Sequence, residues 1–195
     1  MKEIVIATTN EGKMKEMRAL LAPLNIEAKS IVEALGEKID IEENGMTFKE
    51  NALIKAQAIA RLTHGVVLAD DSGLVIDALD GKPGIESARF LGHDTSYTIK
   101  NNAILEMMKD KTDRSARFVC AIAIVEEGKE PILIEETFEG EIADKIEGEN
   151  GFGYDPIFYY PPLNKTSASM TLEEKNRYSH RAKAMQKAIE IIKTL

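Results

Sequence analysis

Hydrophobic and polar positions alternate in blocks along the chain. "EIVIAT" at 3–8 is a short β-rich run, and a weaker one follows at 26–32. Between them Met14, Met17, Leu20 and Leu21 recur at helical spacing, with Asn10 placed to cap the segment and Pro23 to close it. The stretch 36–45 is acidic and loop-like. "TFKENALIKAQAIARLTH" at 47–64 predicts a helix, since Thr47 followed by Glu50 forms a capping box and the interior is rich in alanine. "GVVLAD" (65–70) is a strand, and "GLVIDAL" (73–79) is a second strand or its continuation. Residues 80–87 form a glycine/proline loop and 96–109 a helix. "ARFVCAIAIVEEGKEPILIEETFEGEIA" reads as two strands around a Gly128/Pro131 turn, a hairpin. Residues 148–162 read as irregular and glycine-rich, and the chain from Thr171 as helical behind a second capping box, Thr171 and Glu174.

Strands and helices that alternate at first, followed by a hairpin, predict a mixed sheet with flanking helices, an α/β or α+β fold. No internal repeat, linker or low-complexity segment divides the 195 residues, so one domain or two intimately joined lobes are expected. No apolar run approaches the roughly 20 residues that cross a bilayer, and the N-terminus reads as a first strand rather than a signal peptide. A cytoplasmic protein without a membrane partner is the expectation.

Charge narrows the function. The formal net charge of −8 argues against a nucleic-acid polymer as partner, because such binders are basic. The single cysteine, Cys120, sits among strand residues and reads as a buried structural thiol. The three histidines are scattered without paired metal-ligand spacing, which argues against zinc. A small anionic ligand with a divalent metal fits better.

Five stretches could carry chemistry. "TTNEGK" (Thr8, Thr9, Asn10, Glu11, Gly12, Lys13) lies between a strand and a helix, where free N–H groups and the helix dipole receive phosphate. It is not a Walker A loop, since the first glycine is missing and Met14 stands at the metal-binding hydroxyl position. Asn51 and Lys55 share one helix face. "VLADDSGL" ends an apolar run on Asp70 and Asp71, either a solvated turn or a site in which one of the two carboxylates holds Mg²⁺ and the other poises a water. Glu42 or Glu43 would supply a further metal ligand. One of the two aspartates should then have a raised pKa. In "GFGYDP" glycines flank Phe152, so backbone can approach a ligand and the ring can stack on a base. Finally, the apolar stripe of Met185, Ala188, Ile189 and Ile192 projects back onto Arg181. Either the helix breaks near 178–179 or Arg181 points into a site. With Lys175 and His180 it makes a basic cluster in an acidic chain.

Together these are the parts of a nucleotide site, and their order along the chain resembles the inosine triphosphate pyrophosphatases. "ATTNEGKMKE", "ENGMTFKENALIKA", "LADDSGLVIDALDGKPGIESARF", "GFGYDPIF" and "EKNRYSHRAKA" carry the resemblance nearly end to end, with departures only at Tyr178 and in "FYYPP". The resemblance implies one pyrophosphatase domain over 1–195, elongated and two-lobed, with a mixed twisted sheet, a cleft between the lobes, and a homodimer. It implies Mg²⁺-dependent hydrolysis of dITP, ITP or XTP to the monophosphate and pyrophosphate. It makes Thr8–Lys13 the phosphate loop and Lys55 a second phosphate ligand that, with Asp70 and Asp71, forms the catalytic group. By the same resemblance Asp71 would be the proton acceptor and a metal ligand with Glu42 or Glu43, and Ser72 would touch the nucleotide. It implies that Phe152, Gly153, Tyr154 and Asp155 hold the base, while Lys175, His180 and Arg181 reach its edge. Side-chain chemistry agrees, because the last three donate to a 6-oxo acceptor and oppose the amino group of adenine. A pyrophosphatase of modified pyrimidine nucleotides resembling Maf, or a non-catalytic sensor of inosine or xanthosine nucleotides, would be the alternatives.

Overall fold

The first strand shows how the sheet is covered. In β1 (Lys2–Ile6) of this computed structural model, which describes residues 2–195, Ile4 and Ile6 face one side and Val5 the other, and all three are buried. A parallel strand with helices on both faces must be apolar on both. β1 pairs in parallel with β2 (Ile26–Ser30) from Lys2↔Ile26 to Ile6↔Ser30, and with β3 (Val66–Ile76) from Ile4↔Val66 to Ile6↔Leu68. α1 (Glu11–Leu21) connects the first pair, and Asn10 caps it by accepting a bond from the Lys13 amide at 3.0 Å. The predicted strand at 26–32 is shorter than expected. Ser30 and Glu33 form a capping box that turns the chain into α2 (Ile31–Leu35).

α3 (Phe48–Ala60) is capped by Thr47, which accepts from the Glu50 amide at 3.1 Å. The box expected there is only half made, because the Glu50 carboxylate accepts from the Met46 amide instead of Thr47. β3 continues unbroken through both predicted segments, 65–70 and 73–79, up to Ile76. The sheet order is β2-β1-β3-β4-β5-β6-β7, where β4 is Ser115–Glu126, β5 is Ile132–Ile142, β6 is Phe158–Tyr160 and β7 is Lys165–Thr166. β4 and β5 are neighbours joined by the expected turn, with Gly128 at a φ of 76°. The stretch predicted as irregular, 148–162, contains β6 between two 3₁₀ turns, Asp155–Ile157 and Pro161–Leu163.

The chain forms two compact units. The first comprises the chain up to Asp71, Cys120–Glu136 and His180–Leu195. On one face of its sheet, α1 and α6 (His180–Ile192) bury Met14, Met17, Leu21, Met185 and Ile189 against Ile4, Ile6, Leu68 and Ile122. On the other face, Ala52, Ala56 and Ile59 of α3 meet Val5, Val67, Ala69 and Ala121. Alanine on both surfaces lets helix and sheet approach closely. The second unit comprises Ser72–Val119 and Thr137–Ser179. Its core gathers Leu74, Ile104, Met108, Phe118, Phe138 and Phe158, with α4 (Tyr97–Met108) on it and the Phe118 and Phe158 ring centroids 4.4 Å apart. β6 pairs antiparallel with β5 and β7. The predicted C-terminal helix is two helices. α5 (Leu172–Tyr178), with its capping box intact, belongs to the second unit and α6 to the first, and Ser179 between them is extended. No helix among the described residues is long and apolar enough to cross a membrane.

Candidate active site

Asp70 and Asp71 are consecutive residues of one strand, so their side chains leave on opposite faces of the sheet. Asp70 follows Leu68 toward α1 and α6, and Asp71 follows Ala69 toward α3. Each meets a different set of charges. The strand therefore does not end on two like charges side by side, and neither aspartate lies in a solvated turn.

Asp70 is fully buried. Its carboxylate is ion-paired with Lys13 of α1, lies 3.3 Å from Arg181 Nε of α6, and accepts a bond from the Cys120 thiol at 3.0 Å. Burial opposes its ionisation, but the Arg181, Lys13 and Lys55 cations outweigh burial and hold the carboxyl well below the usual aspartate range. Arg181, also buried, pairs through its other arm with Glu16 of α1, itself buried. Glu16–Arg181–Asp70–Lys13 is thus a chain of alternating charges in which every ion has an opposite neighbour, as burial requires.

Asp71 is 6% exposed. Its Oδ1 lies 3.4 Å from Lys55 Nζ of α3, and the same Nζ is 3.1 Å from Glu43 Oε1. The Asp71 Oδ2 atom is buried without a hydrogen-bond partner. Burial is the main cause that pushes this carboxyl up to about 6, with Glu43 and Asp70 adding to it against the pull of Lys55 and Lys13. The raised aspartate expected from the sequence is therefore Asp71. Asp71, Glu43 and Asp70 in turn raise the Lys55 ammonium against its burial.

In the second unit, the glycine-rich turn is built around Asp155. Gly151 and Gly153 have φ of 71° and 64°, which side chains rarely adopt. A Cβ on Gly151 would collide with Asp155 Oδ2. That oxygen accepts from the Phe152 amide at 2.9 Å and from Lys175 Nζ at 2.6 Å, and the other accepts from the Ser167 hydroxyl at 2.5 Å. Lys175 Nζ lies 4.9 Å from the centroid of the half-buried Phe152 ring, a cation–π arrangement. Asn101 holds the Gly153 carbonyl at 3.1 Å, and the Tyr154 hydroxyl donates to the Ser87 carbonyl at 2.6 Å.

Lys175, His180 and Arg181 are all at least nine-tenths buried. Lys175 is ion-paired with Asp155, and Arg181 with Asp70 and Glu16. Of the candidate glutamates, Glu43 meets Lys55 and Glu42 is exposed. Among the described residues no three carboxylate, histidine or cysteine side chains gather into a metal cage, so Asp71, Glu42 and Glu43 do not assemble as one. Asp155 is an internal hub and Tyr154 a core residue. In the strand-to-helix turn, Thr8 is buried and accepts from the Asn10 amide at 3.1 Å, Thr9, Asn10 and Glu11 are exposed, and Gly12 is half-buried. Ser72 is half-buried. Glu16 and Cys120 escaped the sequence reading as members of the site. Glu16 stands four residues before Leu20, and this charge on a buried helix face was the same signal that marked Arg181.

In this α/β fold one strand, β3, sends a carboxylate to each face of the sheet, and each is met by a helix lysine. The model of the Ham1 family matches residues 4–191, and the chain belongs to that family. It is 47% identical over 197 residues to the dITP/XTP pyrophosphatase of Geobacillus kaustophilus, covering 97% of this chain and 94% of that one. It is 45% identical to the dITP/XTP pyrophosphatase of Bacillus subtilis, covering 98% of each. Among solved structures, the HAM1 protein from Coxiella burnetii superposes with a TM-score of 0.89 at 42% identity, over the full length of both chains.

Proposed function

We propose that this chain is a nucleoside triphosphate pyrophosphatase that hydrolyses the nonstandard purine nucleotides dITP, ITP and XTP to the monophosphate and pyrophosphate. The observation that carries this reading is the opposite electrostatic character of two adjacent aspartates, one locked as an anion and one poised near 6. Asp71 accepts the proton of the attacking water, which a carboxyl titrating near neutrality does better than an ordinary one. The water oxygen bonds to the α-phosphorus, the α–β anhydride bond breaks, and pyrophosphate leaves with the electron pair. Lys55 and Lys13 supply positive charge to the phosphates. Mg²⁺ is the fitting metal, since Asp71 and Glu43 offer hard oxygens and Asp71 Oδ2 is an acceptor without a donor. When bound, the ion supplies charge neutralisation for the triphosphate. Phe152 stacks on the base, and Lys175, anchored beside it by Asp155, donates to the 6-oxo group. His180 is a further candidate donor by resemblance to the family. We place the enzyme in the cytoplasm as a homodimer on the same resemblance, the dimer being testable by sedimentation.

Product analysis tests the reading. With Mg²⁺, dITP and XTP should give monophosphate and pyrophosphate while dATP and dTTP give little. Asp71→Asn should lose turnover by about 10³-fold or more while still binding nucleotide. Orthophosphate as first product, or near-normal turnover by the variant, would refute it.

A further inference from the structure

Lys55 occupies an unexpected place for a phosphate lysine. Its ammonium lies between Glu43 and Asp71, at 3.1 and 3.4 Å, on a side chain that is 12% exposed. The two carboxylates it bridges are the pair assigned above to Mg²⁺. An ammonium and a divalent ion ask for the same surroundings, anionic oxygen at close range, and they repel each other. The ammonium also leaves Asp71 Oδ2 without a donor, an oxygen that a cation with more coordination positions would use. Asp70 differs, being held by Arg181 and Cys120 as well as by its lysine.

We propose that Lys55 is an internal counter-cation that keeps the Glu43–Asp71 pair closed to divalent metal until nucleotide arrives. Without a cation the two carboxylates would repel across the site, and Lys55 stabilises the ligand-free protein by lying between them. A triphosphate offers Lys55 a new set of anionic oxygens, and its withdrawal opens the pair. Metal and nucleotide then strengthen each other's binding by the same factor, as linkage demands. Lys55 thereby serves twice, as competitor of the metal in the free chain and as ligand of the phosphate in the loaded one. This rests on the assignment of Asp71 and Glu43 to the metal.

The test needs no turnover. Mn²⁺ is titrated by electron paramagnetic resonance into the full-length chain without nucleotide, for the unaltered protein and for Lys55→Gln. Removing a neighbouring positive charge should tighten Mn²⁺ binding by about tenfold or more, and adding Glu43→Gln should abolish that gain. Equal or weaker binding by Lys55→Gln overturns the proposal. A second measurement uses only the unaltered protein, so it stands if the variant does not fold. Acetylation of Lys55, followed by mass spectrometry, should accelerate as Mn²⁺ saturates the chain, and an unchanged rate at saturation overturns the proposal. Hydrolysis of dITP by the unaltered enzyme is scored separately. Turnover combined with equal Mn²⁺ affinities sinks this inference alone, whereas absence of turnover sinks the proposed function.

Discussion

Asp71→Asn should inactivate the protein and at the same time stabilise it. The folded carboxyl titrates near 6, with burial as the main cause, whereas in the unfolded chain it titrates near the ordinary aspartate value. As pH rises, the unfolded state therefore releases this proton first. Between about pH 4 and pH 6 the folded state binds more protons than the unfolded, so stability falls with rising pH across that window. Above it the full cost of keeping a charged Asp71 is present, about 3 kcal/mol for a shift of about two units at 1.36 kcal/mol each. A neutral amide at this position would never carry that cost. At pH 8, without metal or nucleotide, Asp71→Asn should melt roughly 6–12 °C above the unaltered protein. The gap should close toward pH 4. Thermal unfolding followed by circular dichroism from pH 4 to 8, in EDTA, measures it. A gap independent of pH, or a variant no more stable at pH 8, would refute the assignment of the raised pKa to Asp71.

Asp70→Asn has the opposite expectation, because it leaves Arg181 and Lys13 facing a neutral group in the interior. It should cost about 3–5 kcal/mol by urea unfolding at pH 7, and a loss below about 1 kcal/mol would contradict the buried charge chain. As the Asp70 carboxyl is depressed, its contribution is present above the ordinary aspartate pKa and lost as pH falls through the folded value. Gly151→Ala places a methyl against Asp155 Oδ2 at a positive φ. Under the proposed function it should raise KM for dITP more than it lowers kcat, since Asp155 anchors Phe152 and Lys175, the residues proposed to hold the base. Tyr154→Phe removes the buried bond to the Ser87 carbonyl and should cost about 1–3 kcal/mol in chemical unfolding without changing which bases are accepted.

Local patterns in the sequence determined much of this protein. The apolar strands, the Asn10, Thr47 and Thr171 caps, and the helices Phe48–Ala60 and Tyr97–Met108, each within its expected range, follow from side-chain periodicity and capping chemistry, which act within a few residues. The misfit of Arg181 on an apolar stripe was legible for the same reason, and so were both possibilities it left open. The helix does break at Ser179, and Arg181 meets its misfit by pairing with Asp70 and Glu16. The motifs also fixed the family. What each charge faces, however, is decided by tertiary structure. Asp70 and Asp71 are adjacent in the chain and identical in chemistry, and only the pleat of β3 sends one to α1 and α6 and the other to α3. Their partners Arg181, Lys13, Cys120, Lys55 and Glu43 come from distant parts of the sequence, so no local window contains them. Coulomb interaction and burial depend on distances through space. The division of the two aspartates into a fixed anion and a titratable acid, and the capture of Lys55 between two carboxylates, therefore exist only in the folded chain.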